Sequence, residues 1–396
     1  MDTVKTGLVK TNIVKTMMAM ITTSLLSLPA VASDAYGDPF KGGGFVKNDW
    51  QVACDNTLTC RAAGYSDESA ERRASILMTL KAGEEVPSTE VLLSHWDRYS
   101  SDGGTATPAD AFKQPIELWL NDKFYGNVAP VSDDSEVSEL TQSQTVQLVN
   151  HANTNSKIVF KLGEHQWQVS DKGLSAVLLK IDDVQGRVGT PLALVSKNHA
   201  SKQTPKSAKP RPIIRKAPAY SDEEHKQLSP SRLTYFQENI DQWVGIDAEE
   251  LIGSEEVMGE CELVNPKTKT HQMMSEYGSV FDWAFIPVDA EHTLASHLCW
   301  RGAYNEASGY WLIDHQHPHQ PQLITTAATD YSQGRIFASH KSRGLGDCWS
   351  MAAWVWNGET FVKELEQTSG LCRLIDLGGA WVIPTYTSEV IEADKR

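Results

Sequence analysis

The sequence predicts an α+β protein, predominantly antiparallel β, built as two disulfide-stabilised domains joined by a Lys/Pro-rich linker. Three observations carry that expectation. Short segments repeat apolar residues at every second position, six cysteines divide two and four around a basic proline-rich stretch, and an N-terminal leader directs the chain to an oxidising compartment.

The leader comes first. Lys5, Lys10 and Lys15 precede an apolar run from Met17 to Leu28, and the small residues Ala30 and Ala32 follow. That order is a secretory signal over residues 1–32, cleaved near Ala32. The apolar run is about a dozen residues, short of the roughly 20 that span a bilayer, so no transmembrane segment is expected after cleavage. The formal net charge of −15 becomes more acidic once the three leader lysines are removed, which is the wrong sign for nucleic-acid binding.

Residues 33–198 form the expected N-terminal α+β domain. "PIELWLN" alternates Ile116, Leu118 and Leu120 with Glu117 and Trp119, the period of a strand. "ASILMTL", "STEVLLS", "SKIVFKL" and "HQWQVS" read the same way. The helical exception is "SDKGLSAVLLKIDDVQG", where Leu174, Val177, Leu178, Ile181 and Val184 recur at helical spacing behind a Ser170–Asp171 cap and ahead of Gly186.

Residues 199–220 are the expected linker. "SKQTPKSAKPRPIIRKAP" holds Lys202, Lys206, Lys209, Arg211, Arg215 and Lys216, four prolines and no acid, which favours an extended, semi-rigid chain. It reads as a solvated spacer; the alternatives are an arm for anionic envelope polymers and an arm lying against the protein's own acidic body.

Residues 221–396 form the expected C-terminal β-rich domain. "LSPSRLTYFQENIDQW" predicts a short helix capped by Ser229 with Pro230 in its first turn. Strands are expected in "FDWAFIPV", "ASHLCWRG", "YWLID", "GRIFASHK", "MAAWVW" and "TFVKEL". Asn357-Gly358 predicts a two-residue type I′ hairpin that sets Trp354 opposite Phe361 and Trp356 opposite Glu359.

The cysteines then fall into place. Treating residues 50–54 and 60–65 as hairpin arms sets Cys54 opposite Cys60 and Trp50 opposite Gly64. Opposed residues at a non-hydrogen-bonded pair are about 4.5 Å apart at Cα, within reach of a disulfide. Closing so small a loop stabilises by roughly 2 to 2.5 kcal/mol, and the tryptophan would cover the glycine. Cys261, Cys299, Cys348 and Cys372 allow three pairings, of which Cys261–Cys299 and Cys348–Cys372 join neighbouring segments and are preferred.

"WQVACDNTLTCRAAGY", "GLSAVLLKIDDVQGRVGT" and "RGLGDCWSMAAWVWNGETF" followed by "GLCR" resemble, in that order, the bacterial envelope family catalogued as domain of unknown function 1176. The "W-x-V-x-C" opening is also similar to that of the exported invasion-locus B proteins. The first resemblance implies a periplasmic protein of Gram-negative bacteria, with no catalytic residue or cofactor to carry over. Trp349 stands where that family usually places a small residue.

Two constellations could carry chemistry. "WLIDHQHPHQP" gathers Asp314, His315, His317 and His319, ligand types suited to zinc, copper or nickel, although Pro318 and Pro321 interrupt regular geometry. Eight of 12 tryptophans lie beyond the linker, where they could stack on sugars beside carboxylates or fill a β core; core packing is the expected use. Nucleophile-elbow, zinc-protease, Walker and dinucleotide motifs are absent. The expectation is therefore a non-catalytic binding module, of which an enzyme inhibitor is one form, with no cofactor, meeting a basic envelope protein. The alternatives are a hydrolase acting on cell-wall or carbohydrate substrates, and transition-metal capture through His315, His317 and His319.

Overall fold

The computed structural model describes residues 44–94, 115–130, 137–221, 227–245, 261–278 and 281–392. The leader expected over residues 1–32 and its cleavage position lie outside them. Every described residue belongs to one contact unit, Pro39–Arg396.

Up to the basic stretch the chain forms β1 (Phe45–Lys47), β2 (Trp50–Cys54), β3 (Cys60–Tyr65), β4 (Ala74–Leu80), β5 (Ser88–Leu93), β6 (Ile116–Leu120), β7 (Lys123–Pro130), β8 (Val137–Glu139), α1 (Gln142–Asn150), β9 (Ile158–Leu162), β10 (His165–Val169) and α2 (Leu174–Val184). Beyond it lie β11 (Ile213–Arg215), α3 (Pro230–Trp243), a 3-10 turn (Glu262–Val264) and α4 (Lys269–Glu276). The chain then continues through β12 (Ala284–Pro287), β13 (His292–Arg301), β14 (Glu306–Asp314), β15 (Gln322–Ala328), β16 (Asp330–Ser332), β17 (Arg335–Lys341), β18 (Trp349–Trp356), β19 (Phe361–Thr368), β20 (Ile383–Thr387) and β21 (Glu389–Ile391). The architecture is predominantly antiparallel β with few helices, as the alternation predicted.

β1 to β10 make one sheet in the order β1-β2-β3-β4-β5-β8-β7-β6-β9-β10. Because side chains alternate across a strand, its two faces carry different residues. Val52, Ala62, Met78 and Val91 face α1 and α2, where Leu148, Leu174, Val177, Leu178 and Ile181 complete the main core. Ala53, Ala63, Leu77 and Leu92 face the opposite way and pack against Ile375, Trp381 and Ile383 from near the C-terminus.

The C-terminal half adds a four-stranded sheet, β12-β13-β14-β15, and a five-stranded sheet, β16-β17-β18-β19-β20. Strand alternation again serves two cores. Ala295, Trp311 and Ile313 pack on Phe236 and Ile240 of α3, while Leu294, Tyr310 and Leu312 meet Ile336, Trp356 and Phe361 of the five-stranded sheet.

Residues 199–220 lie on this body. The Lys206 amide donates to Gln185 O and the Lys209 amide to Thr57 O, β11 pairs in parallel with β21, and Ala217 N donates to Trp356 O. Of the roles considered for this stretch, an arm lying along its own protein is the one the hydrogen bonds describe. No helix among the described residues is long and apolar enough to cross a membrane.

All three disulfides are present: Cys54–Cys60, Cys261–Cys299 and Cys348–Cys372. The first hairpin has the expected register, Cys54 opposite Cys60 and Trp50 opposite Gly64. A Cβ on Gly64 would fall inside the Trp50 ring, and Trp50 Nε1 donates to Ser170 O at 2.6 Å. The same device recurs at Gly309, where a Cβ would strike the Trp311 ring and the sulfur of Cys299.

Two local expectations need correction. The N-cap of α2 is Gly173, with φ 108° and no side-chain cap. Asp171 instead accepts from the Ser156 amide, and Ser170 Oγ accepts from Lys172 N, so both expected caps are committed elsewhere. Only glycine fits at 173, since a Cβ there would collide with Lys47 O. At the second hairpin Trp356 pairs with Phe361, and Trp354 with Lys363. Asn357 N donates to Thr360 O, and its side-chain oxygen accepts from the amides of Glu359 and Thr360. A four-residue loop results, and it lets Trp356 and Phe361 enter the same core.

Gly64→Ala should therefore destabilise the protein by about 1–3 kcal/mol through overpacking against Trp50. A urea midpoint unchanged from wild type would contradict this account of the hairpin.

A candidate binding cleft between two sheets

The face of the first sheet that carries Leu77 is covered only in part. One row of register partners crosses that sheet from Ala63 to Leu77, Glu90, Glu139 and Ala129. Leu77 is buried beneath Trp381 and Ile383. One strand further on the cover ends, and a cleft of about 530 Å³ opens. Leu77, Glu90 and Val137 form one wall, and Met351 and Gln367, paired across β18 and β19, form the other. The segment Leu377-Gly378-Gly379-Ala380-Trp381-Val382 forms the rim.

Sequence-distant polar contacts set the width of this opening. Trp381 Nε1 donates to Ser75 Oγ at 2.7 Å, and Ser75 Oγ donates to Gly64 O at 2.8 Å. Leu371 N donates to the Tyr65 hydroxyl at 3.1 Å. Burial pushes the Tyr65 phenol well above its ordinary pKa, so it stays neutral as an acceptor. Arg373 bridges to Asp49 at 3.1 Å, and the Asn56 side chain pairs with both backbone groups of Thr387.

The rim segment is held from behind as well. Cys348–Cys372 ties its start to β18. Asp347 accepts two bonds from Arg343 and one from Leu374 N. Burial raises the Asp347 carboxyl, but these donors outweigh it and leave the pKa below the usual range. Gly379, at φ 104°, passes so close to Ser369 that no side chain would fit, and Ser369 Oγ accepts from Trp349 N at 2.7 Å.

The electrostatics of the cleft are one-sided. Glu90 and Glu139 are direct cross-strand partners, and neither carboxylate has a hydrogen bond or ion pair among the described residues. Like charges so placed repel. Burial, and then the Glu139 charge, raise the Glu90 pKa. Leu377 and Val382 are 55% and 61% exposed at the rim. A carboxylate in the lining, with a second beside it across the strands and exposed apolar side chains at the rim, suits a cationic ligand that also carries apolar groups.

The histidines of the metal-capture alternative do not converge. His315 turns inward, with Nδ1 against Arg232 Nη1 at 2.9 Å and Nε2 against Thr293 Oγ1 at 2.8 Å. Burial, then the Arg232 charge, lower its pKa. His317 pairs with Asp314 at 2.9 Å on the surface, and His319 is exposed. Among the described residues, the grouping of three or more ligand-type atoms is Asp347 with Cys348 and Cys372, whose sulfurs are bonded to each other. Of the second-half tryptophans, Trp243, Trp283, Trp300, Trp311, Trp354, Trp356 and Trp381 belong to core clusters.

In the sequence Trp381 stands out only as one of the eight tryptophans beyond residue 220, and Glu90 and Glu139 carry no motif. A legible hint was Glu90 in "STEVLLS", an acid inside an otherwise apolar strand.

The family model described as a protein of unknown function, DUF1176, matches residues 45–388. The chain belongs to this family. Neither the curated proteins nor the solved structures yield a match. In this DUF1176 chain the matched span takes in both walls of the cleft, its rim and all three disulfides.

Two measurements probe the cleft. Ser75→Ala leaves the Trp381 indole without its acceptor and should cost about 1–3 kcal/mol in chemical denaturation. Glu90 binds its proton more tightly folded than unfolded, so the native state loses stability as pH rises from the ordinary glutamate value through the raised one. Glu90→Gln should accordingly raise Tm at pH 7 relative to wild type, with the gain fading below about pH 4. An equal gain at both pH values would refute the assignment to Glu90.

Proposed function

We propose that this chain is an exported periplasmic envelope protein that acts by binding, and that its cleft captures an extended, cationic segment of another envelope protein. The observation that carries the reading is the unpaired Glu90–Glu139 pair beside the exposed Leu377 and Val382. A lysine or arginine entering the cleft would relieve the repulsion between the two carboxylates, and its apolar neighbours would cover the rim. The three disulfides and the leader expected over residues 1–32 support export. The acid excess would hasten encounter with a basic partner at low salt.

The reading as a hydrolase draws on the same carboxylates, since one acid with a raised pKa beside an ionised one is how a glycosidase divides its roles. Catalysis of that kind needs the two groups to flank the scissile bond. Glu90 lines the cleft and Glu139 is its exposed cross-strand neighbour, so the two stand side by side on one face of the sheet, which favours a cation site over a catalytic pair. Metal capture by His315, His317 and His319 finds less support, because both ring nitrogens of His315 are already engaged.

A photo-crosslinking residue at Val382 in the exported protein should trap a defined partner that the same residue at the exposed Val46 does not. Glu90→Gln with Glu139→Gln should weaken binding of a synthetic Leu-Lys-Leu-type peptide about tenfold in calorimetry, and a Leu-Glu-Leu peptide should not bind. Identical crosslinks from both positions, or equal affinity for the two peptides, would sink the proposal. Release of sugars from cell-wall material, lost in either Gln variant, would establish the hydrolase instead.

A further inference from the structure

We propose that residues 201–218 form a second binding surface, separate from the cleft, which takes a linear polyanion bearing phosphate groups. The stretch holds six cations and no acid in a chain of net charge −15. Left free, such a segment would be a solvated spacer. Here the backbone is fastened to the body at Lys206, Lys209, β11, Lys216 and Ala217, over both halves of the chain. Ile214 is the buried anchor, and prolines 205, 210, 212 and 218 stiffen the rest.

The anchoring sorts the cations into two sets. Lys206 Nζ donates to Val184 O, and Lys216 pairs with Glu392 at 3.2 Å, so these two serve the fold. Lys202, Lys209, Arg211 and Arg215 are exposed and have no hydrogen-bonding or ion-pairing side-chain partner among the described residues. In extended conformation the run from Lys202 to Arg215 spans up to about 40 Å. Side-chain charges already held in a row lose less conformational entropy on binding than those on a flexible tail.

The linear arrangement selects the partner. A flat anionic membrane would also bring the acidic body against like charge, whereas a single polymer strand can follow the row and leave most of that body in solvent. Four phosphate contacts predict a slope of about −3 in log K against log salt, using the single-strand value of about 0.7 per contact.

The test uses the exported full chain with linear inorganic polyphosphate, measured at 50 and 200 mM salt. Affinity should fall about 50-fold between the two, as four contacts require. Lys202→Gln, Lys209→Gln, Arg211→Gln and Arg215→Gln together should abolish binding with near-UV circular dichroism and disulfides unchanged. The Lys209→Gln/Arg211→Gln pair should halve the salt slope. A control neutralising Lys81, Lys123, Lys172 and Lys269 should bind as wild type. Equal losses in control and strap variants would overturn the proposal, and so would binding to phosphatidylglycerol vesicles without binding to polyphosphate. Because no cleft residue is altered, failure here leaves the reading of the cleft standing, and the converse also holds.

Discussion

The hydroxyl of Ser75 sits between the Trp381 indole and the Gly64 carbonyl, and the arrangement of the two halves depends on it. Three polar groups meet there in a buried place, where an unpartnered donor or acceptor costs more than the bond itself contributes. Nearby, the neutral Tyr65 hydroxyl accepts from Leu371 N under the same condition. Together they hold the C-terminal segment at one distance from the first sheet. The cleft is what remains where that segment ends and the sheet continues.

Covalent and steric devices support this join. A tryptophan closes over a glycine beside a disulfide in each half, Trp50 on Gly64 near Cys54–Cys60 and Trp311 on Gly309 at Cys299. The third disulfide, with Asp347 and Arg343, fixes the loop that carries Leu374 at φ 54°. A non-glycine residue at positive φ needs such over-determination. The rim of the cleft thus follows directly on a loop held by a disulfide, an ion pair and a buried carboxylate.

Charge is distributed with the same economy. Glu90 lines the cleft with Glu139 beside it across the strands, and the exposed cations of residues 201–218 belong to a stretch that contributes no residue to the cleft. On the two proposals above, surfaces of opposite sign would let one molecule engage two partners. Hydrogen bonds from Lys206 and Lys209 to the first half, and pairing of β11 with β21, fasten the backbone of the basic stretch to the body.

Much of the fold was legible because its determinants are local. Period-two alternation marked β4, β5, β6, β9 and β10, Ser229 and Pro230 marked the start of α3, and six-residue spacing paired Cys54 with Cys60 in the correct register. The capping box Thr141–Gln144 of α1 was equally local and was overlooked. Other errors arose where a distant group outcompeted the local one: the Ser156 amide took Asp171 from the α2 cap, Lys47 O required Gly173, and the core drew Trp356 opposite Phe361. His315 left its neighbours for Arg232 and Thr293 for the same reason. By itself the sequence determined strand periods, the disulfide framework, the acidic balance and the family, all properties of residues near one another or of the chain as a whole. Only tertiary structure brought Ser75 to Trp381 and Tyr65 to Leu371, pairs 306 residues apart. No periodicity encodes such a contact; it exists because burying each polar group demanded a partner that the remote segment supplied.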